Sequence, residues 1–323
     1  MLSRLAAIGL ALLAPLAAAS EVPQRWVNAW PETDFSRMAV PAAEIHSGGV
    51  PRDAIPAITG PRLVPGAEET ALAPREPVMA LALDGVPARA YPVRYLMFHE
   101  IVNDTVAGRP VAVTFCPLCN SGLVFDRRVG DRVLEFGVSG MLRHSDLIMY
   151  DRETFSWWQQ FTGRAIAGEM TGAELEALPA RLVSWQRYRA NHPEGLVMAE
   201  PEGVRRPYGR NPYVGYDGGR PFLYSGEDPP HGIAPLARVL RVGERAWPLD
   251  RLAAEGRVTE AGLRIDWAEG QASALDTAEI AEGREVGDLT VVEAATGAPV
   301  VHEIVFAFAF HAFHPDGTWM RGE

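Results

Sequence analysis

Lysine is absent from this 323-residue chain; apart from histidine, every basic side chain is arginine. Schiff-base chemistry and a lysine general base are thereby excluded. Cysteine is nearly absent, with only Cys116 and Cys119. Outside the first twenty residues no stretch approaches the roughly 20 apolar residues that a membrane helix needs. Also missing are a Gly-x-Ser-x-Gly elbow, a phosphate-cradling glycine loop with its lysine, and a His-Glu-x-x-His word. No nucleotide cofactor is expected. A hydrolase with paired carboxylates stays open, because catalytic carboxylates have no diagnostic spacing.

The N-terminus, MLSRLAAIGLALLAPLAAAS, has one basic residue (Arg4), a short apolar run from Leu5 to Leu16, and small residues at Ala17 to Ala19. This pattern predicts a signal peptide over 1–20 and a periplasmic or secreted protein with no membrane span after cleavage. Loss of the leader removes Arg4 and no acid, leaving 41 acidic side chains against 29 basic ones, a formal charge of −12. Nucleic acid is not an expected partner of so acidic a chain. Thiols outside the cytoplasm are oxidised unless a metal or a partner protects them. The two cysteines therefore have three fates: a small disulfide ring, a metal knuckle or a redox-active pair.

A hydrophobic content of 47% with 22% charged residues fits a globular chain, and the abundance of glycine (31) and proline (26) points to many turns. The expected fold is β-rich α+β. Residues 21–77 read as an extended Pro/Gly-rich arm, 78–199 as a first β-unit, 200–235 as a long loop rich in Pro, Gly and Tyr, and 236–323 as a second, diverged unit. The duplication rests on Arg89-Ala90-Tyr91-Pro92, which answers Arg245-Ala246-Trp247-Pro248, and on VAVTFC, which answers LRIDWA (Leu263 to Ala268). Two pseudo-repeated β-units, around 78–127 and 233–268, are thus expected to pack as one body. The second has Glu255 where the first has His99, and no cysteine, which places polar chemistry in the first. AELEALPARL carries a short helical pattern behind Thr171, Gly137 to Gly140 reads as a turn, and VVHEIVFAFAFHAFHPDGTW reads as an alternating strand with His311 and His314 on opposite faces.

Cys-Pro-Leu-Cys lies between β-forming runs, Val111 to Phe115 and Leu123 to Phe125, so the thiols belong at the tip of a tight β-connection. No helix start follows, which removes the helix-terminus activation of a thioredoxin-type pair. A knuckle offering two thiolates to a metal fits better. The missing ligands are sought in FHEIVNDT. His99 is the third ligand by location, although a lone histidine is more often simply hydrogen-bonded in a partly buried wall. His314 is taken as the fourth, with His311 as its alternative. Glu100, Asp104 and Asp146 are the candidate catalytic carboxyls; Asn103 and Asp151 are supporting residues. Soft thiolates favour copper or zinc over hard cations.

The words His-Glu-Ile-Val-Asn-Asp (99–104), Cys-Pro-Leu-Cys (116–119) and Ser-Asp-Leu-Ile-Met-Tyr-Asp (145–151) resemble the bacterial family catalogued as domain of unknown function 3179, over about Gly49 to the end. The resemblance implies an exported protein and no established activity. Its polar words fall on His99, Glu100, Asn103, Asp104, Cys116, Cys119, Ser145, Asp146 and Asp151. The chain departs from the family pattern at His144, where an asparagine-like residue is expected. An exported metal-binding protein of unestablished activity is the leading expectation. A thiol-disulfide redox protein, and a non-catalytic structural or partner-binding protein with a local disulfide, are the alternatives.

Overall fold

The computed structural model describes residues 22–203 and 205–322; the signal-like segment 1–20 lies outside them. The protein is β-rich with few helices, none of those described longer than seven residues, and its strands form five small sheets beside a two-stranded hairpin. Among the described residues no helix is long and apolar enough to cross a membrane.

Strand β1 (Pro77–Leu81) is buried at every position, as a continuous apolar run predicts for a strand covered on both faces. Gly85, at φ +77°, lets the chain reverse into the antiparallel β2 (Arg89–Pro92). Pro92 fixes the backbone at the entrance to α1 (Val93–His99). Beyond Glu100 the chain runs through an antiparallel meander, β3 (Ile101–Val106), β4 (Arg109–Cys116) and β5 (Ser121–Asp126). Cys-Pro-Leu-Cys joins β4 to β5, and a strand rather than a helix follows it.

A second hairpin, β6 (Phe136–Arg143) and β7 (Asp146–Asp151), turns at His144 and Ser145, which have φ of 51° and 65°. Positive φ at both residues is what a tight two-residue β-turn demands, and asparagine meets that demand more readily than histidine. Gly137 to Gly140 form a bulge inside β6 and not a turn: the register shifts between Val138 and Met141. A Cβ on Gly140 would come within 2.1 Å of the Val50 carbonyl oxygen.

The chain returns as β8 (Ala180–Ser184), antiparallel to β1, then α2 (Trp185–Asn191) and β9 (Leu196–Met198), parallel to β2. The helix expected in AELEALPARL does not form. Pro179 removes a backbone donor, and the residues on either side pair with β5 and β1 instead.

The later part of the chain again runs strand, strand, helix and three antiparallel strands. β10 (Arg238–Val242), β11 (Arg245–Pro248) and α3 (Leu249–Glu255) precede a meander of β12 (Arg257–Glu260), β13 (Leu263–Ala268) and β14 (Asp288–Glu293). Then come β15 (Glu303–Phe306), α4 (Ala307–Phe313) and β16 (Thr318–Trp319). The sheets β8-β1-β2 and β15-β10-β11 each add a parallel strand next, β9 or β16, and agree in order and direction over these four strands; the first carries Leu63–Pro65 beyond β9. His99 and Glu255 occupy the same place, the last residue of a seven-residue helix.

Helix α4 overturns the alternating strand read for the C-terminus. Ala307, Phe308, Ala309 and Phe310 are all fully buried, and a run with no exposed face carries no usable periodicity. The parity argument about His311 and His314 falls with the strand.

Before Pro77, short strands Ile45–Ser47, Ile58–Thr59 and Leu63–Pro65 join three different sheets. A single core runs from β1 and the first meander through Phe136, Met149 and Trp158 to Val239, Val305 and Phe306. Trp157 and Trp158 are fully buried.

Candidate metal centre

Two tight turns meet at this core. The sulfurs of Cys116 and Cys119 and a carboxylate oxygen of Asp146, all buried, lie within 4.8 Å of one another. The Cys116 thiol faces the Ser145 carbonyl at 3.7 Å and the Cys119 thiol faces the His144 carbonyl at 4.0 Å, both weak contacts. The two sulfurs are not bonded to each other.

The turn is held from the far end of the chain. Asn120 adopts φ +51°, and its amide donates to the Ile304 carbonyl at 2.7 Å. The Phe306 N–H donates to the Cys119 carbonyl at 2.9 Å. Ser121 Oγ donates to Glu303 at 2.6 Å, and Glu303 is also paired with Arg241.

Asp146 is fully buried. Its Oδ2 accepts from the Gln159 amide at 2.7 Å and from the Phe161 N–H at 2.9 Å, while Oδ1 is buried without an N–H or O–H partner and the Cys116 thiol is the remaining donor beside the carboxylate. Glu100 stands beside it in an unusual backbone state, φ +58° and ψ −32°. At the same place after α3 the chain has Gly256, at φ +69° and ψ −42°. A glycine takes that conformation freely; an L-residue there costs of order 1–3 kcal/mol. A glutamate held against such strain, with its carboxyl turned to a buried site, is a functional signal.

Four acidic groups thus share one low-dielectric region. Burial, then the neighbouring Asp146, pushes Glu100 up to about 8. Burial pushes Asp146 up to about 7, against the hydrogen bonds from Gln159 and Phe161. Burial raises both thiols, Cys119 further than Cys116, because Cys119 also donates its proton toward Cys116. Arg241, the cation on this side, is committed to Glu303.

Of the residues singled out from the sequence, Cys116, Cys119, Asp146 and Glu100 come together. Among the described residues no histidine joins them. His99 has one ring nitrogen 2.7 Å from the Pro56 carbonyl and the other 2.6 Å from the Tyr208 hydroxyl. The strained turn at Glu100 sends these two neighbours in different directions. His314 caps α4 between the rings of Phe161 and Phe310, and its basicity is lowered to about 4 by burial and then by Arg241. His311, also on α4, is not in the group either.

Asp104 binds Arg89 and the Tyr91 hydroxyl, an ion pair away from Glu100, because α1 ends at His99 and Asp104 lies on β3. Asn103 exchanges two hydrogen bonds with the Phe136 backbone and ties β3 to β6. Asp151 closes its own turn through Thr154 and holds the Trp158 indole at 2.8 Å. These two roles are structural.

Sequence reasoning missed Gln159, which orients Asp146, and Glu303, which holds the knuckle. It also missed Tyr213 and Tyr216 as wall residues, although the long loop carrying them stands out as rich in Tyr. An apolar cavity of about 590 Å³ opens above the thiols, with Glu100, Leu118, Val138 and Leu147 in its wall and Tyr213, Tyr216 and Phe222 from the loop over it.

Fold and site together define a β-rich protein with a buried thiol–carboxylate centre beneath an apolar cavity. The chain belongs to the family described as protein of unknown function DUF3179, whose model matches residues 52–317. No curated protein and no solved structure matches it.

Proposed function

We propose that Cys116, Cys119 and Asp146, with Glu100 beside them, hold a zinc or copper ion in an exported protein. The observation that carries the reading is Asp146 Oδ1, a buried carboxylate oxygen without an N–H or O–H partner in a residue grouped with two buried thiols. Leaving such an atom unsatisfied costs about 1–3 kcal/mol, and a cation would satisfy it. The donor set narrows the choice. Two thiolates with one or two carboxylates suit Zn²⁺, whereas Cu⁺ would use the sulfurs alone. Gln159 and the Phe161 N–H would then orient the carboxylate, the part that outer groups play around bound metals.

The matching strand orders of the two sheets support reading the body as two copies of one unit, with the ligands kept in one copy. The leader-like N-terminus supports export, where a bound metal would shield the thiols from oxidation. A thiol redox role is the weaker reading, since burial raises both thiols and β5, not a helix, follows the pair.

Cobalt(II) titration tests the proposal. One equivalent should produce thiolate-to-metal absorption bands that weaken in Asp146→Asn and vanish in Cys116→Ser. Titration without such bands would refute it.

A further inference from the structure

The cavity above the thiols differs in chemistry from the centre beneath it. Its volume of about 590 Å³ lies in the range that receives a small organic ligand. The wall is mostly apolar; Glu100 and, on the loop, Arg220 are the acidic and basic side chains in it, beside the hydroxyls of Tyr213 and Tyr216. Among the described residues Arg220 makes no salt bridge.

The roof is fixed in place. Tyr216 donates to the Leu118 carbonyl at 3.0 Å and accepts from the Phe222 N–H at 3.1 Å. Gly215 donates to the Asp276 carbonyl, and Asp217 is buried against Arg238, Arg284 and Ser273. Such anchoring keeps the space open instead of letting the loop collapse into it. Around the cavity Phe222 is 48% exposed, Leu223 41% and Val50 37%, three of the most exposed large apolar side chains described. Large apolar groups left in water around an unfilled apolar space mark a binding site.

We propose that this cavity binds a small, mostly apolar organic anion, its body lying under Tyr213 and Tyr216 and its charge meeting Arg220. The proposal deepens the metal-centre reading and rests on it for one point only: a ligand lodged there ends at Glu100, beside the metal ligand Asp146.

Two fluorescent probes test it on the full chain, with and without bound metal: anilinonaphthalene sulfonate, which is anionic, and N-phenylnaphthylamine, which is not. Both should bind saturably, one per chain. Leu142→Trp fills the cavity and Val50→Trp narrows its opening. Each should weaken both probes by more than about tenfold while thermal melting shows the fold intact. Arg220→Ala should weaken the sulfonate about fivefold and leave the neutral probe within twofold.

Absence of saturable binding, or binding that both tryptophan variants leave unchanged, overturns the site. Equal effects of Arg220→Ala on the two probes overturn the anionic class. Probe binding to a protein that takes up no metal would refute the metal reading alone, and metal uptake without probe binding would refute this inference alone.

Discussion

The carbonyl of Cys119 accepts a hydrogen bond from the backbone N–H of Phe306 at 2.9 Å. The second thiol is therefore positioned by β15, near the C-terminus, although no residue of β15 supplies a ligand. Asn120 and Ser121 repeat the link through Ile304 and Glu303. A site whose chemistry lies in the first half of the chain depends for its geometry on the last strands.

Asn120 tests that dependence. Replacement by alanine removes the bond to Ile304, worth about 1–3 kcal/mol when a buried group is left unpaired. It also places a non-glycine residue without local hydrogen bonding at positive φ, at a cost of roughly 1–2 kcal/mol. Asn120→Gly loses only the first contribution. Urea unfolding should rank wild type above the glycine variant, and that above the alanine variant; equal losses would show that the turn is not strained.

Glu100 should show the opposite behaviour. Glu100→Gly removes a carboxyl from the wall of the cavity and relaxes a backbone state that Gly256 adopts after α3. The metal-free variant should be more stable than wild type by about 1–3 kcal/mol, yet bind metal more weakly. Calorimetric melting checks the first expectation and competition with a chelating dye the second. A destabilised variant would contradict the assignment of strain.

Stability of the metal-free protein should fall as pH rises from about 6.5 to 8. Glu100 stays protonated to about pH 8 and Asp146 to about pH 7, whereas their ordinary values are 4.5 and 3.8. The folded state therefore binds more protons than the unfolded one in this window, and ionisation favours unfolding. His144, His302 and His314, each lowered by burial to about 4 from 6.5, oppose this effect only at lower pH. Urea midpoints in the presence of chelator should decline across the window, and the decline should shrink in Asp146→Asn. A flat or rising midpoint would count against the buried acids.

His99 should matter for stability and not for metal. Its two nitrogens serve Pro56 and Tyr208, so His99→Ala should lower the urea midpoint while leaving metal uptake at the wild-type level. Lost uptake with an intact fold would restore the histidine as a ligand.

Much of this was legible in the sequence. The β-branched residues around Cys-Pro-Leu-Cys foretold its place between two strands, and each Arg-Ala-aromatic-Pro word fell on a strand that leads into a seven-residue helix. What failed did so for physical reasons. The first four residues of α4 are apolar and fully buried, so no polar face there reveals its period. His99 and Glu100 are neighbours that diverge because one residue adopts positive φ, which no spacing rule detects. Asp146 reads in the sequence as a candidate catalytic carboxyl and not as a metal ligand, since its closeness to the thiols depends on a two-residue turn from a different sheet.

The most direct test of the metal centre is the metal content per chain of protein purified from a periplasm under chelator-free conditions. Close to one zinc or copper per chain in the wild type, with little in Cys116→Ser or Asp146→Asn and an unchanged level in His99→Ala, is the predicted result. A wild type without stoichiometric metal, or a Cys116→Ser variant carrying as much metal as the wild type, would contradict it.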